Sequence, residues 1–480
     1  MEEKLVEELQ RELQENQNIE EIRSKLISKG FLENDVDEAI TSASKEILSQ
    51  KKTPTKGTTK YFTKTFLDRI GFGFGSPQYI NILFRQAGAS LFLVGLINGI
   101  KAIISVLISS CVKEYRKQKE VKRPFTGISE ILLGLSFVIL IIAYFFHSIK
   151  VFIIGILLIG IFFAYYNDLF NKLFKQKLEE GRKDYLIGKI THYGLLLTVI
   201  CLFAGAYILD KFPTAGYTLK FVLFEKNYSF TFYGYMIAFG IAALSFIISG
   251  LLLLDGKVKK QEEKKVRISQ TIKSCFKNYR NYLSIFFRNK IILVLIIAST
   301  ITAFVQTLGN SYYGIFIFNN FSKIGFGGFL NVAIIFTIAL LTSIIAPLIT
   351  RKNAIEYGKF PMLVFGTLLL AIMPLSYYYK PNLISISMGT ILGIIGGAIT
   401  GVAQGLLTLE LINDYERKMY FESVSVFATI PLLITVPIGS YIAHTIGLKT
   451  LFLILALLLA FVVVPLYFFI IILYHKKEKI

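Results

Sequence analysis

The sequence predicts an all-α integral membrane protein: twelve transmembrane helices arranged as two six-helix bundles, with a small helical hairpin ahead of them. Three observations predict it. The chain of 480 residues is 54% hydrophobic and 14% aromatic, and its mean hydropathy of +0.58 lies outside the makeup of soluble domains. Uncharged runs such as Val151 to Tyr166, Leu195 to Leu209 and Leu451 to Leu473 approach or reach the length that spans a bilayer. Finally, the two halves echo each other at a spacing of about 235 residues.

Residues 1–50 precede the membrane and read as a cytoplasmic helical hairpin. Ile19, Ile22, Leu26 and Ile27 form one apolar stripe that stops at Gly30, and Asp35 with Glu38 opens a second helix carrying Val36, Ala39, Ile40, Ala43 and Ile47. A polar linker follows over 51–60, with Pro54 and Gly57. The turn Lys29-Gly30-Phe31 resembles the loop of ubiquitin-associated domains, which implies a peptide partner; a glycine that simply ends a helix explains the same residues.

The first bundle takes 61–254, with spans near 61–84, 89–112, 127–147, 149–170, 187–209 and 229–254. Gly71, Gly73 and Gly75 have neither a preceding strand nor a following Lys-Ser, so they form no phosphate loop and are expected to kink the first span. Tyr217 to Phe224 and Tyr228 to Tyr235 alternate on either side of Glu225-Lys226-Asn227, which suggests an exposed β-hairpin. A cytoplasmic connector over 255–289 carries Val266, Ile268, Ile272, Cys275, Phe276, Tyr279, Leu283 and Phe286 at helical spacing among Lys and Arg, a pattern suited to anionic lipid headgroups. The second bundle takes 290–474, with spans near 290–318, 330–349, 361–379, 383–410, 420–446 and 450–474, and leaves a cytoplasmic tail of 475–480.

The formal charge of +20 does not point to nucleic acid, because the basic residues sit between the spans. Of the 52 Lys and Arg, about 43 fall on one side of the predicted spans and about 8 on the other. That asymmetry places both termini in the cytoplasm of a multi-pass cell-membrane protein. Cys111, Cys201 and Cys275 are far apart and fit neither a disulfide framework nor a metal site. His147, His192, His444 and His475 are scattered without HExxH, and no nucleotide fingerprint occurs, so no cofactor is expected and an embedded enzyme lacks its residues.

The repeat is carried by Tyr79 to Phe84 echoed in Tyr313 to Phe318, by Arg182-Lys183-Asp184-Tyr185 echoed in Arg417-Lys418-Met419-Tyr420, and by the basic loops Lys113 to Arg123 and Arg351 to Lys359. On these features the chain from residue 61 onward resembles the major facilitator superfamily. Glu410-Leu411-Ile412-Asn413-Asp414-Tyr415-Glu416-Arg417 matches the family's E-x6-R pattern, and Ala346-Pro347-Leu348 through Arg351, Gly358 and Lys359 resembles its loop between helices eight and nine. The loop between helices two and three lacks the family's usual Gly and Asp, and the fifth span lacks the Gly-Pro pair of drug antiporters. The resemblance implies a transporter that moves a small solute by alternating access, with no enzymatic step. A membrane-embedded enzyme and a non-transporting scaffold or receptor on the same fold are the competing expectations.

In that family the first, fourth, seventh and tenth helices line the solute path. Here they carry Gln78 and Asn81; Tyr165, Tyr166 and Asn167; Gln306, Asn310, Tyr312 and Tyr313; and Thr400 and Gln404. Amides and phenols donate and accept hydrogen bonds without the desolvation cost of a charge, and so suit hydroxylated or zwitterionic solutes. Polar bonding between helices would use the same residue types. Lys101 is the one charge predicted near mid-bilayer, where an ammonium needs a partner, a hydrated cavity or an anionic solute. Asp68, Glu130, Asp168, Glu410 and Glu422, with Arg69, Arg182 and Arg417, fall about one turn inside the cytoplasmic face and suggest a gate. Gly389, Gly393, Gly397, Gly401 and Gly405 repeat every fourth residue along the tenth span, a spacing suited to close helix packing.

Overall fold

The computed structural model describes residues 56–118, 123–177, 180–212, 217–223, 226–254, 289–412 and 414–478. The predicted hairpin over 1–50 and nearly all of the connector over 255–289 lie outside these residues. The described chain is helical except for one two-stranded sheet. Eleven helical stretches among the described residues are long and apolar enough to cross a membrane, two of them made of more than one of the helices numbered below.

The predicted first span is a broken pair, α1 (Lys56–Phe74) and α2 (Pro77–Gln86). Pro77 stands in the first turn of α2, where its missing N–H costs nothing but where it also prevents α1 from running on. The three glycines before the break serve close packing as well. An added Cβ would stand 2.7 Å from the Phe246 ring at Gly71, and would collide with Cys201 at Gly73 and Phe137 at Gly75.

The chain continues through α3 (Leu91–Gln118), α4 (Arg123–Phe145), α5 (Ile149–Lys177) and α6 (Glu180–Lys211). The strands β1 (Tyr217–Leu223) and β2 (Lys226–Phe232) pair antiparallel, in the register Tyr217 with Phe232 through Leu223 with Lys226. The two expected strands are therefore present and paired, the second beginning two residues earlier than the sequence suggested. Helix α7 (Gly234–Leu254) closes the first half and packs on α4 at glycine distance: an added Cβ at Gly127 or Gly250 would lie 2.6 Å from the other's carbonyl oxygen.

The second half opens with α8 (Lys290–Phe321), whose first turn is capped by the Asn289 side chain accepting from Ile291 N at 3.0 Å. It continues through α9 (Gly328–Tyr357), α10 (Lys359–Tyr378) and α11 (Leu383–Leu411). The predicted eleventh span is again broken, into α12 (Asp414–Thr429) and α13 (Leu432–Thr445), with Pro431 at the junction. The last span runs from α14 (Leu448–Leu458) through a π-helical turn (Leu459–Val463) into α15 (Val464–Glu478). The face that carries the start of α8 and the end of α11 is termed inner, and the face that carries the end of α2 and the start of α9 outer.

Candidate functional site

Two sets of contacts join the halves toward the outer face. From α2, the buried Gln78 donates to the Asn310 carbonyl of α8 at 3.1 Å, and Asn81 donates to the Ser311 carbonyl at 3.3 Å. Asn98 of α3 steadies that arrangement by donating to Asn81 Oδ1 at 2.9 Å. The Tyr312 hydroxyl donates to the Leu91 carbonyl of α3 at 2.9 Å. Further out, the Asp210 carboxylate at the end of α6 accepts from Phe329 N at 2.9 Å and Leu330 N at 2.8 Å in the first turn of α9. A carboxylate there satisfies orphan N–H groups and sits at the positive end of the helix dipole. Gly327, with φ +124°, makes the approach possible, since an added Cβ would stand 2.8 Å from Asp210 Oδ2.

Toward the inner face α8, α11 and α12 of the second half border an open cavity of about 280 Å³. Ser299, Gln404, Thr408, Tyr420 and Ser425 supply its polar lining, with Gly401 and Gly405 forming part of the wall. The glycine repeat accordingly has two uses. Gly389 and Gly393 press on Ser376 and Met373 of α10, whereas an added Cβ at Gly401 or Gly405 would meet nothing within 4 Å. A four-residue step overshoots one helical turn by about 40°, so the stripe rotates away from α10 and into the cavity as α11 proceeds inward.

At the corresponding level the first half is filled with charge. Lys64 of α1 lies fully buried among Asp68, one turn on, Glu130 of α4 and Tyr166 of α5. Its ammonium donates to Asp68 and to the Tyr166 hydroxyl, and stands 3.1 Å from Glu130 Oε1 in an ion pair. It also lies over the Tyr166 and Phe170 rings, at 4.1 and 3.9 Å from their centroids. Asp68 accepts in addition from Tyr166 and, at 2.7 Å, from Ser249 of α7. Lys64 escaped the sequence reading because it abuts the basic linker. Its one visible signal is the four-residue spacing to Asp68.

The remaining expected residues divide between these surroundings. Gln306 and Asn310 present exposed side chains one turn apart in the middle of α8. Tyr313 is buried in an aromatic stack, 4.4 Å from Tyr377 and 5.3 Å from Phe452 between centroids. Thr400 is buried and donates to its own helix at Gly396, whereas Gln404, on the cavity wall, donates to the Tyr467 hydroxyl. Tyr165 is half-buried, and the exposed Asn167 accepts from Asn171 at 3.3 Å. Lys101 is half-buried with its stem against Gly160 of α5, and among the described residues its ammonium has neither a hydrogen-bond nor an ion-pair partner.

Of the expected gate residues, Asp168 accepts from Ser109 of α3, and the Arg69 stem runs along Gly194 of α6. Glu410 accepts from Lys359 of α10 and Tyr474 of α15, while Arg417 donates to the Leu409 carbonyl at 2.9 Å. These partners of Asp68, Asp168 and Glu410 lie within the half that carries each. The side chains of Arg182 and Glu422 lie outside the described residues.

Residues 62–421 match the family described as Major Facilitator Superfamily. Solved structures share the fold at low identity. The nucleoside transporter NupG superposes with a TM-score of 0.63 at 12% identity, covering 85% of this chain and 98% of its own. A bacterial homologue of the iron transporter ferroportin, in its inward-facing state, gives 0.63 at 12% identity over 86% of this chain and 98% of its own. A POT family transporter in complex with 5-aminolevulinic acid gives 0.56 at 13% identity over 88% and 96%. No curated protein matches the sequence. Family and fold neighbours point to a membrane transporter rather than an enzyme, and the chain belongs to the Major Facilitator Superfamily.

Proposed function

We propose that the protein moves a small solute across the membrane by alternating access between its two halves, with α1 and α2 together making the twelfth span and both termini in the cytoplasm. The observation that carries this reading is the asymmetry of closure. The outer side is held by Gln78, Asn81, Tyr312 and Asp210 reaching between the halves, while the cavity beside α11 lies toward the inner side. Bonds to main-chain groups suit a reversible gate, because water can replace them once the halves part.

The solute path runs between Lys101, Gln306, Asn310 and Gln404. Amide side chains exposed in the middle of an apolar helix would lose their hydrogen bonds in lipid, so Gln306 and Asn310 face a hydrated space. Lys101, without a counter-charge among the described residues, supplies attraction for a carboxylate or other anionic group. Asp168, Glu410 and Arg417 with their neighbours act at the inner gate by holding helix ends in register within each half. The sequence pattern alone supports a peptide partner for the first fifty residues and anionic headgroups for the basic connector, both of which, but for Asn289, lie outside the described residues.

Thermal stabilisation of the purified full-length protein against a panel of carboxylated, zwitterionic and neutral hydroxylated metabolites tests the reading, because a ligand stabilises the state it binds. Carboxylated compounds should raise the melting temperature, and Lys101→Met should weaken their binding about tenfold without unfolding the protein. Equal affinity in the mutant would remove Lys101 from the path.

A further inference from the structure

The buried cluster in the first half contains one more negative group than positive. Lys64 supplies the cation, and Asp68 and Glu130 the carboxyl groups, with side chains 0%, 6% and 0% exposed. Two ionised carboxylates beside one ammonium would leave a net charge in a site shielded from water, which is strongly unfavourable unless the charge is removed. The donors are shared unequally. Asp68 accepts from Lys64, Tyr166 and Ser249. Among the described residues neither Glu130 oxygen has a well-aligned donor: Oε1 stands 3.1 Å from the ammonium, and the carboxyl group otherwise faces the Asp68 carboxyl and the Ser249 hydroxyl, which is aligned on Asp68. The well-solvated carboxylate is therefore Asp68, and the group left to be neutralised is Glu130.

We propose that Glu130 is a proton-binding site. In this conformation it is the neutral acid, and it takes up and releases a proton as the protein changes state, so that solute movement is coupled to proton movement. The step balances simply: the carboxylate takes a proton from water on one side, forming an O–H bond, and returns it to water on the other. Coupling to the gate follows from connectivity. The cluster ties α1 to α4, α5 and α7, and α2, which continues α1 beyond the break at Gly75 and Ser76, carries Gln78 and Asn81 to the opposite half. Movement of α1 that opens the outer side also changes the packing around Glu130. The charged and titratable groups that face it are Lys64 and Asp68 of α1 and Tyr166 of α5, with Arg69 one residue further along α1; α7 contributes the neutral Ser249.

The coupling rests on the transport reading, but protonation does not, so the first measurement is made without solute. Infrared difference spectra of the full-length protein in lipid nanodiscs should show a carboxylic-acid carbonyl band near neutral pH that shifts in deuterium oxide and is lost in Glu130→Gln. Asp68→Asn should lose it as well, since Lys64 would then neutralise Glu130 alone. Lys64→Met should strengthen it, because two carboxyl groups would then need protons. The Asp68→Asn result separates charge balance from a merely structural role for Glu130. A wild-type protein without such a band, or one whose band survives Glu130→Gln, overturns the proposal, and so does neutralisation by sodium or potassium, seen as a band that appears only when those ions are withdrawn. If the band behaves as described while a pH step leaves the spacing of the outer loops unchanged in wild type, the site holds a proton but does not drive the gate, and the coupling is refuted.

Discussion

Shifted by about 235 residues, Lys64, Tyr166 and Phe170 of the first half fall on Ser299, Gly401 and Gly405 of the second. The first three pack an ammonium between two rings, and the latter three line a cavity. The duplicated scaffold therefore places large or charged side chains at a level where its repeat has a hydroxyl and two glycines. A buried charge must be satisfied in place and holds its helices together, whereas a pocket of mixed polar and apolar lining leaves room for water or solute. The difference assigns structural cohesion and charge to the first half and room for a ligand to the second.

The largest effect expected from this contrast is on stability. Lys64→Met would leave two carboxyl groups buried without their cation and should cost about 3–5 kcal/mol. Lys359→Met, which removes the cation paired with the exposed Glu410, should cost about 0–1 kcal/mol. Chemical denaturation of the two variants in detergent would measure both, and similar losses would erase the distinction. A smaller contrast lies within α11. Gly396→Ala drives a methyl into the Gly366 carbonyl and should cost about 1–3 kcal/mol, whereas Gly401→Ala meets open space and should be neutral or stabilise by about 0.5–1 kcal/mol through helix propensity. If instead Gly401→Ala were the damaging change, the cavity would be closed in solution. Gly401→Phe should fill it, leaving the melting temperature near wild type while abolishing solute-dependent stabilisation; intact stabilisation would move the solute elsewhere. The smallest effect concerns the outer gate, where Asp210→Asn removes a charge from the start of α9 and should shift the closed–open balance by about 0.5–2 kcal/mol toward open.

Much of the fold was legible because apolar length is a local property: eleven of the predicted spans reappear as helices or helix pairs within a few residues of their expected bounds. Breaks were harder. Pro77 and Pro431 mark both of them, yet a proline within an apolar run reads as easily as a kink inside one helix. The site was legible only in part. Gln78, Asn81, Gln404 and Asp68 stood out as polar residues within apolar runs, but which of them meets another helix depends on contacts more than a hundred residues apart, such as Gln78 with Asn310 and Asp68 with Ser249. Lys64 was hidden by its position beside a basic linker, and the glycine stripe of α11 looked uniform because its slow rotation around the helix carries no mark in the sequence.

Alternation of the two halves between outer-closed and outer-open arrangements is the central claim, and the distance across the outer face measures it most directly. Spin labels replacing Phe146, in the loop between α4 and α5, and Phe326, between α8 and α9, occupy exposed positions on opposite halves. In lipid nanodiscs the wild-type protein should show a dominant short separation matching this structure and a minor longer one, and Asp210→Asn should increase the longer population severalfold. A single distance, unchanged by Asp210→Asn and by every solute that stabilises the protein, would contradict alternating access through this gate.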